Sequence, residues 1–188
     1  MTRYFSASLM LAVLISSSVV PASEDDHHHH DKHHNHDAHV HGQAEIYLVI
    51  EGAKLFVEIE SPAANVFGFE HEPKNDEQSN IVAKAKSTLA QADNVLRIRG
   101  GECTLTSSEL ELPFEGHDSH HHESTKGPTH TEVEVSYLYE CVDSQAVTEI
   151  DIQLFENFDG FEEIDVESII HSKQGSQSLT KKNRLIKL

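Results

Sequence analysis

The fold is decided by residues 44–62, "AEIYLVIEGAKLFVEIESP". Ala44, Ile46, Leu48 and Ile50 fall at every second position, and Leu55, Val57 and Ile59 then do the same. Period two on both sides of the polar break Glu51-Gly52-Ala53-Lys54 specifies a β-hairpin with one face buried. Outward from this hairpin the same alternation recurs, and the predicted strands run over residues 95–99, 103–112, 131–141, 147–155, 161–170 and 178–188. Val133, Val135, Tyr137, Tyr139 and Cys141 share one face of the third of these. Gly160, inside "ENFDGF", marks a turn between two strands.

Helical spacing occurs in one place. Asp76 is placed to cap a helix over residues 77–92, with Ile81, Ala85, Thr88 and Leu89 on one face. Residues 61–73, "SPAANVFGFEHEP", are punctuated by Pro62, Gly68 and Pro73 and read as a packed loop. One helix among seven or eight strands is an α+β domain of mainly antiparallel sheet, with a sandwich as one arrangement it allows. Strand order does not follow from the pattern.

Composition narrows the function. The first 22 residues carry Arg3, then the apolar run "YFSASLMLAVLISSSVV", then a small-residue exit ending in Pro21-Ala22. This is the layout of a cleavable export signal. Its apolar core is too short to span a bilayer, no cysteine near the cut supports a lipid anchor, and no later segment has the character of a membrane helix. The formal net charge is −18. Loss of Arg3 with the signal would take it to about −19, which excludes nucleic acid and anionic lipid as partners. About 165 residues would remain, the size of one domain.

The chain holds 16 histidines. Nine of them fall within residues 27–42, "HHHHDKHHNHDAHVHG", and a second group lies within residues 116–130, "GHDSHHHESTKGPTH". An affinity tag is a poor account of two separated groups interleaved with Asp, Asn and Lys behind a natural signal. Imidazole is a borderline-soft ligand suited to zinc, copper and nickel. His39 and His41, one residue apart on the approach to a strand, would project to the same side and suit a site built on rigid sheet. His27, His28, His29, His30, His33, His34 and His36 lie in a segment, residues 23–38, whose composition cannot form a core, and His117, His120, His121 and His122 lie in a loop of the same kind. Such flexible ligands incur an ordering cost, so they should hold metal more weakly and less selectively. His171 reads as a surface residue.

Cys103 and Cys141 are the only cysteines. In an exported chain the default is a disulfide between them, expected to tie the bases of the second histidine loop. The rival is a pair of thiolates sharing a zinc with histidines.

Four stretches, "HVHGQAEIYLVIEG", "LFVEIESPAANVFGFEHEP", "HTEVEVSYLYEC" and "LFENFDGFEEIDV", occur in an order that resembles the ZrgA-type family of periplasmic zinc-binding proteins. The likeness runs over nearly all of the chain beyond the signal, and "ESPAAN" followed by "GFEH" is its most specific element. Asp159 departs from it, standing where proline is expected. The resemblance implies a periplasmic protein that binds Zn2+ and assists its uptake beside an ABC-type importer, whose substrate-binding protein is the implied recipient. His71 and His130 come from irregular segments abutting strands and lie within the resembling motifs. They are therefore the residues expected to complete a tight site with His39 and His41, with Glu70 or Glu132 as an oxygen ligand or an outer acceptor. A nickel or copper buffer without a delivery role is the alternative. Because Met1 and Met10 are the only methionines, Cu(I) has little support. No nucleophile elbow, H-E-x-x-H, Walker or Rossmann motif is present, so a metal-dependent hydrolase is the weakest reading.

Overall fold

A computed structural model describes residues 40–114 and 131–188, which belong to one compact unit, His36–Leu188. The expected export signal, the N-terminal histidine-rich segment and the second histidine loop, with His39 and His130, lie outside the described residues.

The hairpin forms as its alternation requires. β1 (Gln43–Glu51) and β2 (Lys54–Pro62) pair antiparallel from Glu51↔Lys54 to Glu45↔Glu60, and Ile46, Leu48, Ile50, Leu55, Val57 and Ile59 are all buried. The remaining elements follow in order. They are α1 (Ala63–Phe67), α2 (Asp76–Leu89), β3 (Leu96–Arg99), β4 (Cys103–Glu111), β5 (Glu132–Cys141), β6 (Glu149–Ile152), α3 (Leu154–Asn157), β7 (Glu163–Ile170), β8 (Lys173–Thr180) and β9 (Leu185–Lys187). A six-stranded sheet has the order β4-β5-β2-β1-β7-β8, and a three-stranded antiparallel sheet has the order β3-β6-β9. The large sheet is antiparallel except for β1 and β7, which run parallel with Gln43 opposite Glu163. The α+β class is as expected, with one dominant helix and a mixed sheet. Among the described residues no helix is long and apolar enough to cross a membrane.

One face of the six-stranded sheet carries the core. The buried residues of β1, β2, β5 and β7 form a single cluster with Ala85 and Leu89 of α2, Leu154 and Phe155 of α3, and Leu96, Ile150 and Ile186 of the small sheet. Tyr137 is fully buried, and its hydroxyl donates to the Leu89 carbonyl at the end of α2. That bond satisfies a phenol that could not otherwise be placed in the core. Burial accordingly raises the Tyr137 pKa far above the ordinary phenol value.

Several sequence expectations need correction. Residues 61–73 are not all loop, because Ala63–Phe67 make a short helix that ends at Gly68. Five residues are too few for helical periodicity to register. The cap of α2 is Asn75, whose side chain accepts from Gln78 N at 2.9 Å, and Asp76 stands inside the first turn. Its apolar face is Val82, Ala85 and Leu89, whereas Ile81 is exposed. Residues 147–155 are not one strand: Gln153 adopts a helical backbone conformation and turns the chain from β6 into α3. The turn at Gly160 exists but joins α3 to β7. Residues 178–188 divide between β8 and β9. The first half of β8 escaped notice because Leu179 is its only buried residue, which leaves no alternation to read.

The disulfide between Cys103 and Cys141 forms, with no free cysteine left for zinc. Its position differs from expectation. Cys103 opens β4 and Cys141 closes β5, so the bond joins the strand ends remote from the histidine loop, which connects Glu111 to Glu132. The predicted strands, 103–112 and 131–141, already set Cys103 and Cys141 at the ends away from the loop, so the expectation that the bond ties the bases of the loop did not follow from them.

The opposite face of the sheet is acidic. Glu134 of β5 lies across from Glu60 on one side and Glu111 on the other. Burial raises its pKa first, and the neighbouring charges of Glu58 and Glu111 raise it further. A carboxyl whose folded pKa lies above its unfolded value favours folding only at pH low enough to keep it protonated, and that contribution is lost as pH rises through the folded pKa. Glu134→Gln should therefore stabilise the protein at pH 7 by roughly 0.5 kcal/mol after solvent screening. Urea unfolding midpoints should show the gain at pH 7 and lose it below about pH 4.

Candidate metal site

The segments that carry the resemblance converge at the start of β1. Residues 40–43 form a β-turn closed by Gln43 N donating to the Val40 carbonyl at 3.0 Å, with Gly42 at φ +90°. His41 therefore sits in a turn, not on an extended strand. β1 begins at Gln43, two residues after His41, and His39 lies outside the described residues.

Asn65 holds this turn from below. It is buried in α1, accepts from Gly42 N through Oδ1 at 2.7 Å, and donates through Nδ2 to the Gln43 carbonyl at 2.7 Å. A further bond from Nδ2 reaches Ser61 Oγ at 3.2 Å. The "ESPAAN" stretch thus uses its last residue to tie α1 to the entrance of β1. From the other side, Glu162 N and Glu163 N both donate to the Gly42 carbonyl, at 2.8 and 3.0 Å. Gly160 lies so close that a Cβ there would come within 2.3 Å of the Asn65 carbonyl oxygen.

Above this floor lies an open cleft of about 360 Å³, lined by His41, Asn65, Phe69, Glu70, Gly160 and Glu162 among others. His41 Nε2 is 3.1 Å from Glu70 Oε1. With the proton on Nε2 directed at the carboxylate, the Nδ1 lone pair is left for a metal. A ligating histidine is commonly oriented by a carboxylate in this way. The His71 ring stacks on Phe69, with centroids 5.1 Å apart, and its Nδ1 is 2.9 Å from the Glu72 carbonyl. A carbonyl only accepts, so Nδ1 carries the proton and the Nε2 lone pair is available.

Phe69 belongs to an aromatic group with Phe67 and Phe114. Phe114 is the last described residue before the second histidine loop. Thr131, the first described residue after it, accepts from Ala63 N at 2.8 Å. Both ends of that loop are therefore anchored on α1 and the segment following it, and the N-terminal histidine-rich segment joins the body at Val40, on the turn that Asn65 holds.

Of the expected ligands, His41 and Glu70 are brought together, and His71 is on the segment that follows Glu70. Glu132 opens β5 opposite Pro62. His171 is in the β7–β8 turn with φ +49°, exposed, as expected of a surface residue. Among the described residues no three of His, Cys, Asp and Glu are arranged to hold a metal by themselves. Sequence reasoning missed Asn65 and Glu162. Both lie within the resembling stretches, but neither is a residue type that singles itself out as metal chemistry.

Comparison with curated proteins returns no match. A family model described as "ZrgA family zinc uptake protein" matches residues 38–188, which takes in every described residue. The family is one of zinc uptake and not of catalysts. With the match extending over most of the chain, this protein belongs to the ZrgA family of zinc uptake proteins.

Proposed function

We propose that this is a periplasmic zinc-capture protein, whose histidine-rich segments collect Zn2+ and pass it, through a tighter site at the His41 turn, to the substrate-binding protein of an ABC-type importer. The observation that carries this reading is the His41–Glu70 pair at 3.1 Å, set on a turn that Asn65 and the Gly160 turn hold from two sides. Two histidine-rich segments are rooted around the same short helix. His39 and His130 adjoin described residues that flank the cleft, and they are the proposed further ligands along with His41 and His71. Glu70 orients His41, while Glu162 and Glu132 are oxygen donors within the same part of the fold. The histidines from His27 to His36 and from His117 to His122 form the looser class. A neutral-imidazole set of this kind also accepts nickel and Cu(II), so selectivity among these metals comes from the completed geometry.

Zinc titration calorimetry tests this reading. Imidazole binds metal only when deprotonated, so affinity of the tight class should fall more than about tenfold between pH 7 and pH 5.5, an interval in which carboxylate ligands stay ionised. At pH 7, Glu70→Gln should weaken the tight class by roughly 10-fold to 100-fold while leaving the weak class unchanged. The pair His39→Ala with His41→Ala should abolish the tight class. A tight class that is flat across this pH interval, or that survives the double substitution, would refute the site.

A further inference from the structure

The six-stranded sheet ends on one side at β8, and that edge is open. His171 and Ser172, both at positive φ, make the two-residue turn from β7, so Ile170 and Lys173 form a hydrogen-bonded pair. In an antiparallel ladder such pairs alternate with pairs whose backbone groups point away. Gly175, Gln177 and Leu179 therefore bond to β7, whereas Gln174, Ser176, Ser178 and Thr180 turn their N–H and C=O outward. Thr180 fixes the phase, because its N–H donates to the Asn183 carbonyl at 3.1 Å and its carbonyl accepts from Asn183 N at 2.9 Å. Among the described residues nothing pairs with the outward backbone of the other three, and all three are exposed.

Proteins ordinarily blunt such an edge with a bulge, a proline or charges along its length. β4, the opposite edge of the sheet, is blunted: its register shifts between Leu105 and Ser107, the Thr106 hydroxyl donates to the Leu138 carbonyl at 2.9 Å, and Glu109 and Glu111 follow. β8 has an unbroken register, no proline and no charge after Lys173. Its charges lie at its two ends. All 32 Asp and Glu residues precede residue 168, while residues 168–188 hold five of the 14 Lys and Arg residues. Of these, Arg184 is engaged by Asp151 and Glu156. Lys173 opens β8, Lys181 and Lys182 follow its last residue, and none of the three has an ion-pair partner among the described residues. On the acidic face beside the edge is a shallow depression of about 450 Å³, lined by Tyr47, Val49, Glu167, Ile169, Gln174 and Ser176 among others. Ile169 is 41% exposed there, and the small side chain of Ser176 leaves it uncovered from the edge side.

We propose that β8 accepts an extended, acid-ended segment of another protein as a seventh strand. The segment's backbone meets Gln174, Ser176 and Ser178, which is how an added strand gains affinity, and its side chains supply selectivity. Carboxylates at its ends lie against Lys173 on one side and Lys181 and Lys182 on the other. An apolar side chain in its middle lies over Ser176 towards Ile169 and Val49. Glu163, Asp165 and Glu167, across from Thr180, Ser178 and Ser176, keep further carboxylates out of that middle part. A second copy of this chain is a poor occupant: two β8 strands paired antiparallel about Ser176 would set Lys173 of each towards the Lys181-Lys182 end of the other. The proposal does not depend on the zinc reading.

Hydrogen exchange followed residue by residue by NMR on the exported form tests it, with the end-blocked peptide Asp-Glu-Thr-Val-Thr-Val-Thr-Glu-Asp at millimolar concentration as the probe. An added strand leaves an alternating signature. Exchange of the Gln174, Ser176 and Ser178 amides should slow at least tenfold, and that of Gly175, Gln177 and Leu179, already bonded to β7, should not change. The same peptide with lysine in place of its four acids should give no protection. Ser176→Pro, which removes one outward N–H and leaves the β7 ladder intact, should abolish the effect. The triple variant Lys173→Glu, Lys181→Glu, Lys182→Glu should reverse the preference between the two peptides. Slowing without the alternation, equal protection in Ser176→Pro, or no protection by the acidic peptide would overturn the proposal. So would alternating protection that appears without peptide and grows with protein concentration, since the edge would then belong to a second copy.

Discussion

Replacing Gly160 by alanine is expected to destabilise the protein by about 3 kcal/mol, the upper range for a group forced into filled space. The new Cβ would lie 2.3 Å from the Asn65 carbonyl oxygen, 2.6 Å from its Cα and 2.8 Å from its carbonyl carbon. All three are backbone atoms, so no side chain can swing aside. Either the α3–β7 turn or α1 must move, and α1 carries the Asn65 side chain that holds Gly42 and Gln43. Urea unfolding should show the loss, and zinc affinity of the tight class should fall with it. Gly52→Ala is the informative contrast. At Gly52 a Cβ meets nothing within 4 Å, and only the φ of +59° disfavours a side chain. That change should cost about 1 kcal/mol and leave zinc binding alone. Equal losses of affinity in the two variants would show that Gly160 has no particular connection to the site.

The second large effect is on the disulfide. Substituting Cys103 and Cys141 together by serine should lower stability by about 4 kcal/mol, the chain-entropy value for a bond spanning 38 residues. Zinc affinity and stoichiometry of the folded variant should stay as in the wild type. The reason is distance. Cys141 N bonds to the Ala53 carbonyl and Ser144 Oγ to the Gly52 carbonyl, so the disulfide lies at the β1–β2 turn. The His41 turn is at the other end of β1, about 30 Å along the strand. Loss of zinc in a variant shown to be folded would restore a role for the cysteines in the metal site.

How far the sequence carries depends on whether one side chain face is buried. β1, β2 and β5 each alternate over a full strand length against the core, and their period-two pattern states the structure outright. β8 runs past the core with polar residues on both sides, and α1 is a single turn and a half, so neither leaves a period to detect. The site shows the same division. Histidine types announce metal chemistry, and His41 was a candidate on that ground, whereas His71 and Glu70 were candidates through the motifs that carry the resemblance. Asn65 and Gly160 were not, because their contribution is contact between segments distant in sequence. Alternation also cannot reveal that β7 lies parallel to β1, since antiparallel and parallel neighbours impose the same inward and outward sequence of residues.

That parallel pairing bears on how the protein comes into being. β1 can zip onto β2 as soon as the hairpin is made, but its other edge stays vacant until β7, near the end of the chain, arrives. Pairings of such long sequence separation are slow to form, because the chain must close a large loop before any contact rewards it. The same step brings Gly160 and Glu162 against the His41 turn, so the cleft cannot be complete before it. On the proposed function, a molecule still folding would carry its histidine-rich segments before the cleft is complete, and metal reaching it then would meet the looser ligands first. Refolding in zinc should thus be slower than refolding in its absence wherever those ligands hold the chain in arrangements that must dissolve before β7 can insert.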